Sequence, residues 1–375
     1  MKRLTTLALI LGLCTAVGLF LSSGLQDVAA AVVSAGWGAL AVVVLRAVAV
    51  AWAGLGWFVV FPSSRRASLR DCVSLRFVRE GINTLLPVAQ VGGDFVGARL
   101  LAKRGASGGF AGASMFVDLM TQALTQLLFT MAGLGLLVWL SGDGPIVRVV
   151  AGGLVVAAPA LAAFYLIQRR SGHRLIQAAL NRFAAGREWR ALGALDVLYE
   201  SLRRMYGNRA RVGLAILIHM IGWVIGTVEV WVCLNAMGYS VSFLEATIIE
   251  SLAQAVRGAA FAIPGALGAQ EGGLIALCAL FGVPAEAALA LSLVKRVADL
   301  AVGIPGLVAW HVIEGSTWEE AAGPSPHAFD AIRERVGRAF ATAPRPAPRY
   351  GYATPHPKAG PARSADAERE FKTCA

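Results

Sequence analysis

The side chains of this sequence best suited to chemistry lie in one polar stretch, from Arg79 to Asp94, inside an otherwise apolar chain. The stretch combines charges, amides, a proline and paired glycines, which an ordinary membrane-spanning helix does not carry. Ion pairs and hydrogen bonds from these residues could hold a polar ligand, and the carboxyl groups could also act as acid and base. The polar candidates in this stretch are Arg79, Glu80, Asn83, Gln90 and Asp94.

A weaker copy of the same pattern appears later in the chain. In both places a glycine is followed by a proline six residues on and an acid seven further, ending at Asp94 in the first copy and Glu271 in the second. Such self-similarity suggests an internal repeat. Glycine and proline interrupt helices, so these positions are the predicted hinges. They are Gly81, Pro87, Gly92, Gly93, Gly258, Pro264 and Gly268.

Further charged and amide side chains stand within apolar runs. A charge at the centre of a membrane helix costs about 2.5–3.5 kcal/mol, so these groups must be paired or wet. They could complete a polar cavity, or they could be static internal pairs, and Arg79 could merely mark the membrane surface. His219 fits a packing role best. The candidates are Asp118, Gln122, Glu229, Arg257, Gln270, Glu271, Lys295, Arg296 and Asp299.

The composition indicates an all-α polytopic membrane protein. Hydrophobic residues make up 57% of the chain and charged residues only 15%, far from the quarter typical of soluble domains. The net charge of +11 comes from basic residues gathered in loops, which disfavours nucleic-acid binding. Cysteines and histidines do not occur at metal-ligand spacing. We therefore expect no metal, no cofactor and no nucleic-acid partner.

Hydropathy predicts about six full spans and two re-entrant helical hairpins. The spans are expected near residues 4–21, 37–61, 109–140, 145–168, 212–237 and 285–313, and the hairpins within 71–105 and 246–281. The first run could instead be a cleaved signal peptide. Basic residues on both flanks of the first hairpin favour its return to the cytoplasmic side. The hairpins would then open to opposite sides, as an inverted repeat.

The chain divides into a transmembrane domain, residues 1–313, and a mostly disordered cytoplasmic tail, residues 314–375. Within the first domain, residues 169–211 form a strongly basic loop, expected in the cytoplasm as one or two amphipathic helices. The charge distribution predicts a multi-pass protein of the inner membrane with a cytoplasmic amino terminus. Gly222 and Gly226 form a G-x-x-x-G motif that could serve packing within the chain or a homodimer.

Two motifs carry a resemblance to a known family. They are E-G-I-N-x-x-L-P-x-x-x-x-G-G-D at residues 80–94 and I-P-G-x-x-G-x-x-E-G at residues 263–272. With the basic middle loop between them, they resemble the transmembrane region of lysylphosphatidylglycerol synthases. The similarity is greatest to the free-standing, flippase-like membrane proteins associated with hopanoid biosynthesis.

The resemblance implies membrane lipid translocation or lipid handling in envelope or hopanoid metabolism. The expected partners are membrane lipids, anionic or isoprenoid, and envelope-lipid biosynthesis proteins. The synthases carry out aminoacyl transfer in a separate soluble domain, which the tail is too short to hold, so no enzyme activity is expected. The alternative is an integral-membrane enzyme or accessory subunit of a lipid pathway, with carboxylates and His219 as acid and base.

Overall fold

The computed structural model describes residues 17–19, 21–22, 24–62, 67–86, 92–142, 144–169, 189–260 and 263–322, and within them all regular structure is helical. This confirms the predicted all-α class. The compact part of the chain that contains nearly all of this helical structure ends at Gly315. The helices are α1 (Leu25–Ala35), α2 (Trp37–Val59), α3 (Leu69–Leu85), α4 (Gly92–Lys103), α5 (Gly108–Ser141), α6 (Pro145–Ile167), α7 (Trp189–Gly207), α8 (Arg209–Ala236), α9 (Phe243–Ala259), α10 (Ala269–Ala279) and α11 (Ala285–Ala322).

Four of the six predicted spans are helices long and apolar enough to cross a membrane. These are α2, α5, α6 and α8. The sixth predicted span is the 38-residue helix α11, which carries internal charges and extends beyond the predicted end. Most of the first predicted span, and the tail from residue 323, lie outside the described residues. Helix α1 was not predicted, because its residues precede the longer apolar run of α2.

The predicted repeat has a structural counterpart in two four-helix units, α2–α5 and α8–α11. Helices α3 and α9 each contain 17 residues, and each begins with a capping box. Ser68 pairs with Asp71 in the first box, and Ser242 pairs with Glu245 in the second. Such a box satisfies two of the backbone N–H groups that every helix leaves free at its start. Short second helices follow, 12 residues in α4 and 11 in α10.

Each hairpin breaks where the sequence predicts a break. In the second hairpin, a 3-10 turn (Pro264–Ala266) precedes α10. Gly265 and Gly268 there have φ angles of +64° and +78°, the left-handed region that favours glycine. In the first hairpin, α4 begins at Gly92, and Pro87 and Gln90 lie outside the described residues. The tip of the second hairpin contacts α3 of the first.

Of the predicted hinges, Gly92 and Gly93 begin α4 at the break, whereas Gly81 and Gly258 are positions inside other helices. Gly81 lies inside α3, where its missing side chain lets the backbone touch the carbonyl oxygen of Gly303 in α11. Gly258 lies in the last turn of α9 and faces the Gln126 side chain. Lipid tails are as apolar as core side chains, so close backbone approach and van der Waals packing hold membrane helices together. Gly81 and Gly258 therefore bring helices together and do not bend them.

The buried apolar side chains form two clusters, each drawn mainly from one unit. The first includes Trp57, Leu75 and Leu100, and the second includes Ile249 and Leu291. The predicted amphipathic helix of the basic loop is α7, whose buried Leu202 and Met205 belong to the first cluster. Its apolar face thus packs on protein, against α5. The rest of the loop, residues 170–188, lies outside the described residues.

Candidate functional site

A polar cavity of about 350 Å³ lies between the two hairpins. Helices α2, α3, α5, α8 and α9 enclose it, and Asp94 reaches it from the start of α4. Ionisable and amide side chains dominate its lining, although the helices around it are mainly apolar. The charged and polar lining residues are Arg46, Arg76, Glu80, Asn83, Thr84, Asp94, Gln122, Gln126, His219, Glu229, Glu250, Gln254 and Arg257.

Arg79 lies at the centre of the first ion-pair cluster, behind the cavity wall. It is only 1% exposed. Its Nε donates to Asp94 Oδ1 at 2.8 Å and its Nη1 donates to Asp118 Oδ2 at 2.7 Å, while its Nη2 forms an ion pair with Asp94 Oδ1 at 2.6 Å. The same guanidinium lies 4.9 Å from the centre of the Trp57 ring. A planar fork with five N–H donors can serve two carboxylates at once, which explains arginine at this position.

Asp118 extends the first cluster from α5 to α8. Its Oδ1 lies 3.1 Å from His219 Nε2, and its Oδ2 accepts from Gln122 at 2.8 Å. Because an ionised carboxylate only accepts hydrogen bonds, Nε2 of His219 carries the proton in this pair. Asn83 on α3 binds the start of α4. It donates to Asp94 Oδ2 at 3.2 Å and accepts from the backbone N–H of Gly93 at 2.7 Å. These bonds tie the start of α4 to α3.

The second ion-pair cluster joins α2 to the second hairpin and α11. Arg46 lies 2.9 Å from Glu229 and 3.3 Å from Asp299. Lys295 lies 2.6 Å from Glu250 and 3.7 Å from Glu229. Arg257 reaches Asp299 at a longer distance, 3.5 Å. Each charge in this part of the membrane region therefore has an opposite charge within 4 Å, as the cost of burial requires.

Glu271 is held in a separate group at the start of α10. It is fully buried, accepts from Arg296 Nε at 2.8 Å and from Ser292 at 3.0 Å, and caps α10 by accepting from the backbone N–H of Gly268 at 2.7 Å. Gln270 donates to the same Ser292. This group does not line the cavity. A carboxylate at a helix start is stabilised by the helix dipole, so Glu271 is tied to the structure of the hairpin.

The structure thus sorts the sequence-derived candidates into three sets. Those lining the cavity are Glu80, Asn83, Asp94, Gln122, Glu229 and Arg257. Those behind the wall, bound to lining residues, are Arg79, Asp118, Lys295 and Asp299. Gln270, Glu271 and Arg296 lie apart, although the repeated pattern predicts equivalent places for Asp94 and Glu271.

Sequence reasoning missed two charged residues of the cavity. Glu250 was overlooked, although an acid within the apolar part of α9 is the same indication that identified Glu229. Arg76 was not among the predicted cavity residues, yet it is only 13% exposed and lies 3.4 Å from Glu80 and 3.7 Å from Asp118. His219, which was expected to have a packing role, in fact forms a hydrogen bond with Asp118. Gly226 of the G-x-x-x-G motif faces the Glu250 side chain, so this motif packs α8 within the chain.

The two cavity clusters contain nearly equal numbers of positive and negative groups, and some of these groups are partly exposed. Five arginine and lysine side chains face six carboxylates across the two clusters. Four of these paired side chains keep more than a tenth of their surface exposed: Arg46 and Arg76 at 13%, Arg257 at 17% and Glu80 at 24%. An incoming polar group can therefore exchange partners with these four while the deeper pairs stay intact.

Comparison with known proteins agrees with this architecture. The family model for the lysylphosphatidylglycerol synthase TM region matches residues 6–306. A "UPF0104 membrane protein" of Methanothermobacter thermautotrophicus is 28% identical over 195 residues, covering 48% of this chain and 57% of that protein. The chain thus spans a little over half the length of this relative, and no solved structure matches. This multi-pass, lipid-related membrane protein belongs to the family of the lysylphosphatidylglycerol synthase TM region.

Proposed function

We infer that the protein translocates or handles membrane lipids, with the headgroup in the polar cavity between the hairpins. The observation that carries this proposal is the cavity itself: about 350 Å³ of polar space among five helices, of which α2, α5 and α8 are long and apolar enough to span a membrane. That volume is near the lower limit of small-molecule sites, about 300–1,000 Å³. It can take a headgroup but not two acyl chains, which would stay in the surrounding lipid.

The partly exposed pairs supply the chemistry of headgroup binding. A phosphate or other anion can bind Arg76 and Arg257, and hydroxyl or amino groups can bind Glu80, each replacing an existing partner. Exchanging one ion pair for another avoids leaving a buried charge alone, the most expensive state in a low-dielectric site. Binding and release then involve similar energies, as a transport site requires.

The hairpins supply an arrangement in which such a site could face either side. Broken helices that meet near the membrane midplane are a recurring feature of transporters. The contact between α3 and the tip of the second hairpin fits that arrangement. We place the protein in the inner membrane with a cytoplasmic amino terminus and tail, acting on anionic or isoprenoid lipids of envelope or hopanoid metabolism. The charge pattern supports the orientation, and the family supports the lipid class.

Filling the cavity tests the proposal. Ala123 on α5 lines the cavity, so Ala123→Trp should occupy much of it and slow lipid movement at least tenfold. The measurement is the transbilayer movement of fluorescent phospholipids in proteoliposomes containing the purified full chain. Ala132→Trp, at an exposed position of the same helix, is the matched control and should leave the rate unchanged. Equal rates for both variants would rule out this cavity as the transport site.

An enzyme of a lipid pathway is the second candidate, favoured by the hydrogen bond between His219 and Asp118 at the cavity wall. A histidine oriented by a carboxylate is the usual arrangement of a general base. Lipid profiles of cells carrying His219→Gln separate the two functions. Loss of one lipid species would indicate chemistry, whereas a complete set of lipids with an altered leaflet distribution would indicate transport.

A further inference from the structure

A second and larger cleft lies away from the hairpins, where α7 meets α5, α6 and α8. Its volume is about 1520 Å³. It shares no lining residue with the cavity between the hairpins. The lining comes from the middle of α5, the last turn of α6, the second half of α7 and the first two turns of α8. The cleft is therefore a separate feature of the molecule.

One wall of this cleft is apolar. It consists of Met120 and Leu124 from α5 with Val212 and Ile216 from α8. Both helices are long and apolar enough to cross a membrane, so this wall lies at a level where lipid acyl chains run.

The opposite rim is polar and rich in tyrosine. Tyr206 donates to Gln168 Oε1 at 2.7 Å, and Tyr199 donates to the backbone carbonyl of Ile167 at 2.8 Å. The Tyr165 and Tyr206 rings meet edge to face at 5.5 Å. Burial raises the pKa of Tyr206, so its hydroxyl remains a donor at physiological pH. These bonds tie the end of α6 to α7 and give the rim a fixed shape. Tyrosine is the side chain typical of the membrane–water boundary.

Some of the charged groups on the rim are paired with an opposite charge, and others are not. Glu200 accepts from Arg203 at 2.9 Å and from Arg204 at 2.8 Å, and these bonds lower its pKa and keep it ionised. Arg169 rests on the Tyr165 ring at 5.2 Å. Within the part of the chain that the structure describes, neither Arg169 nor Arg209 has a carboxylate within 4 Å. Two guanidinium groups therefore face the cleft with free hydrogen-bond donors.

We propose that this cleft binds an anionic phospholipid, with its phosphate at Arg169 and Arg209 and an acyl chain along Leu124 and Ile216. A guanidinium group can donate two parallel hydrogen bonds to the oxygens of one phosphate. A bound phosphate would therefore satisfy the donors of Arg169 and Arg209 that lack a partner. The apolar wall faces a basic, tyrosine-lined rim. This matches the separation of acyl tail and charged headgroup in one leaflet of a membrane. The bound lipid holds α7 against the spans. This site is independent of the transport cavity and of whether the protein transports lipid.

Equilibrium lipid binding by the purified full chain in detergent tests the site. Native mass spectrometry measures the binding of phosphatidylglycerol, with diacylglycerol of the same acyl chains, which lacks the phosphate, as the reference. The double variant Arg169→Gln/Arg209→Gln should weaken phosphatidylglycerol binding about thirtyfold, since each basic residue near a membrane surface contributes about 1 kcal/mol. Diacylglycerol binding should change less than about twofold, because it has no phosphate for the two guanidinium groups to hold. The variant Ile216→Trp should weaken the binding of both lipids by filling the apolar wall.

The matched control removes the same two charges elsewhere. Arg99 and Arg148 lie outside the cleft and its rim, so Arg99→Gln/Arg148→Gln should bind phosphatidylglycerol as the native chain does. An equal loss in both double variants would mean general charge attraction and would overturn the site. Displacement of the lipid by millimolar glycerol 3-phosphate would also overturn it, since the occupant would then be a soluble phosphate. The variant Ala123→Trp should bind normally, which separates this outcome from failure of the transport proposal.

Discussion

At the scale of single residues, the central fact is how the buried carboxylates are matched to guanidinium and ammonium groups. Arg79 shows the requirement most clearly, because it is 1% exposed and serves Asp94 and Asp118 together. Taking such charges out of water costs several kcal/mol per ion, which the pairing must offset through good geometry. A single N–H group directed away from its acceptor would leave that cost uncompensated.

Arg79→Lys isolates geometry from charge. An ammonium group keeps the positive charge but lacks the planar fork, so it cannot hold both carboxylates at 2.6–2.8 Å. We expect a loss of about 1.5–3 kcal/mol in the free energy of unfolding, the value of one hydrogen bond to a charged group. Thermal unfolding of the purified chain in detergent measures it. Arg204→Lys, at an exposed pair with Glu200, is the control, and equal melting temperatures for the two variants would contradict the bidentate role.

The sequence could predict which residues would be polar and buried, but not their pairing. The repeated pattern placed Asp94 and Glu271 in equivalent positions, and each does begin the second helix of its hairpin. Their partners nevertheless come from different elements, Arg79 on α3 in one case and Arg296 on α11 in the other. Pairing depends on which side chain the tertiary fold brings within 4 Å, and the spacing along one helix does not contain that information. The interpretation of Glu271 as a cavity residue failed for this reason.

At the scale of helices, glycines set the distances between the two units. Gly306 on α11 lies against the backbone carbonyl of Phe77 on α3, and Gly81 lies against Gly303 one turn away. Sequence analysis interpreted Gly81 as a hinge because glycine interrupts isolated helices. In the membrane, neighbouring helices override that propensity, since small residues permit the close approach that supplies packing energy. The breaks around Gly268 were predictable because proline and several glycines occur together there.

Gly306→Ala tests the contact between α3 and α11. A β-carbon at this position would overlap the Phe77 backbone, so the helices must separate, at a cost of about 1–3 kcal/mol in unfolding free energy. Gly135→Ala on α5 provides the control, since a β-carbon there meets open space. That substitution should be neutral or stabilising by up to about 1 kcal/mol. Unfolding in detergent is again the measurement, and unchanged stability of Gly306→Ala would show that α3 and α11 do not pack closely.

At the scale of the whole molecule, the two units exchange charged side chains across the cavity. Arg46, from the first unit, lies in the ion cluster of the second, beside Glu229 and Asp299. His219, from the second unit, lies in the ion cluster of the first, beside Asp118. Arg46 lies on α2 and His219 lies on α8, and both helices are spans at the border between the units. The cavity walls are therefore held by contacts between units, and a change in one hairpin can reach the other through these two side chains.

A double-mutant cycle on Arg46 and Glu229 measures how strongly the units are coupled. Arg46→Gln leaves Glu229, which is fully buried, without its nearest cation, so a loss of about 3–5 kcal/mol in unfolding free energy is expected. Adding Glu229→Gln removes a carboxylate that would then have only Lys295, at 3.7 Å, as its partner, and should restore part of that loss, giving a coupling energy of about 1–3 kcal/mol. Arg99→Gln supplies the comparison, because Arg99 is 59% exposed and its pair with Glu314 should contribute less than about 1 kcal/mol. If the Arg46 and Glu229 effects simply add, this pair does not couple the units, and the pairs of Arg46 with Asp299 and of His219 with Asp118 remain as the charged links between them.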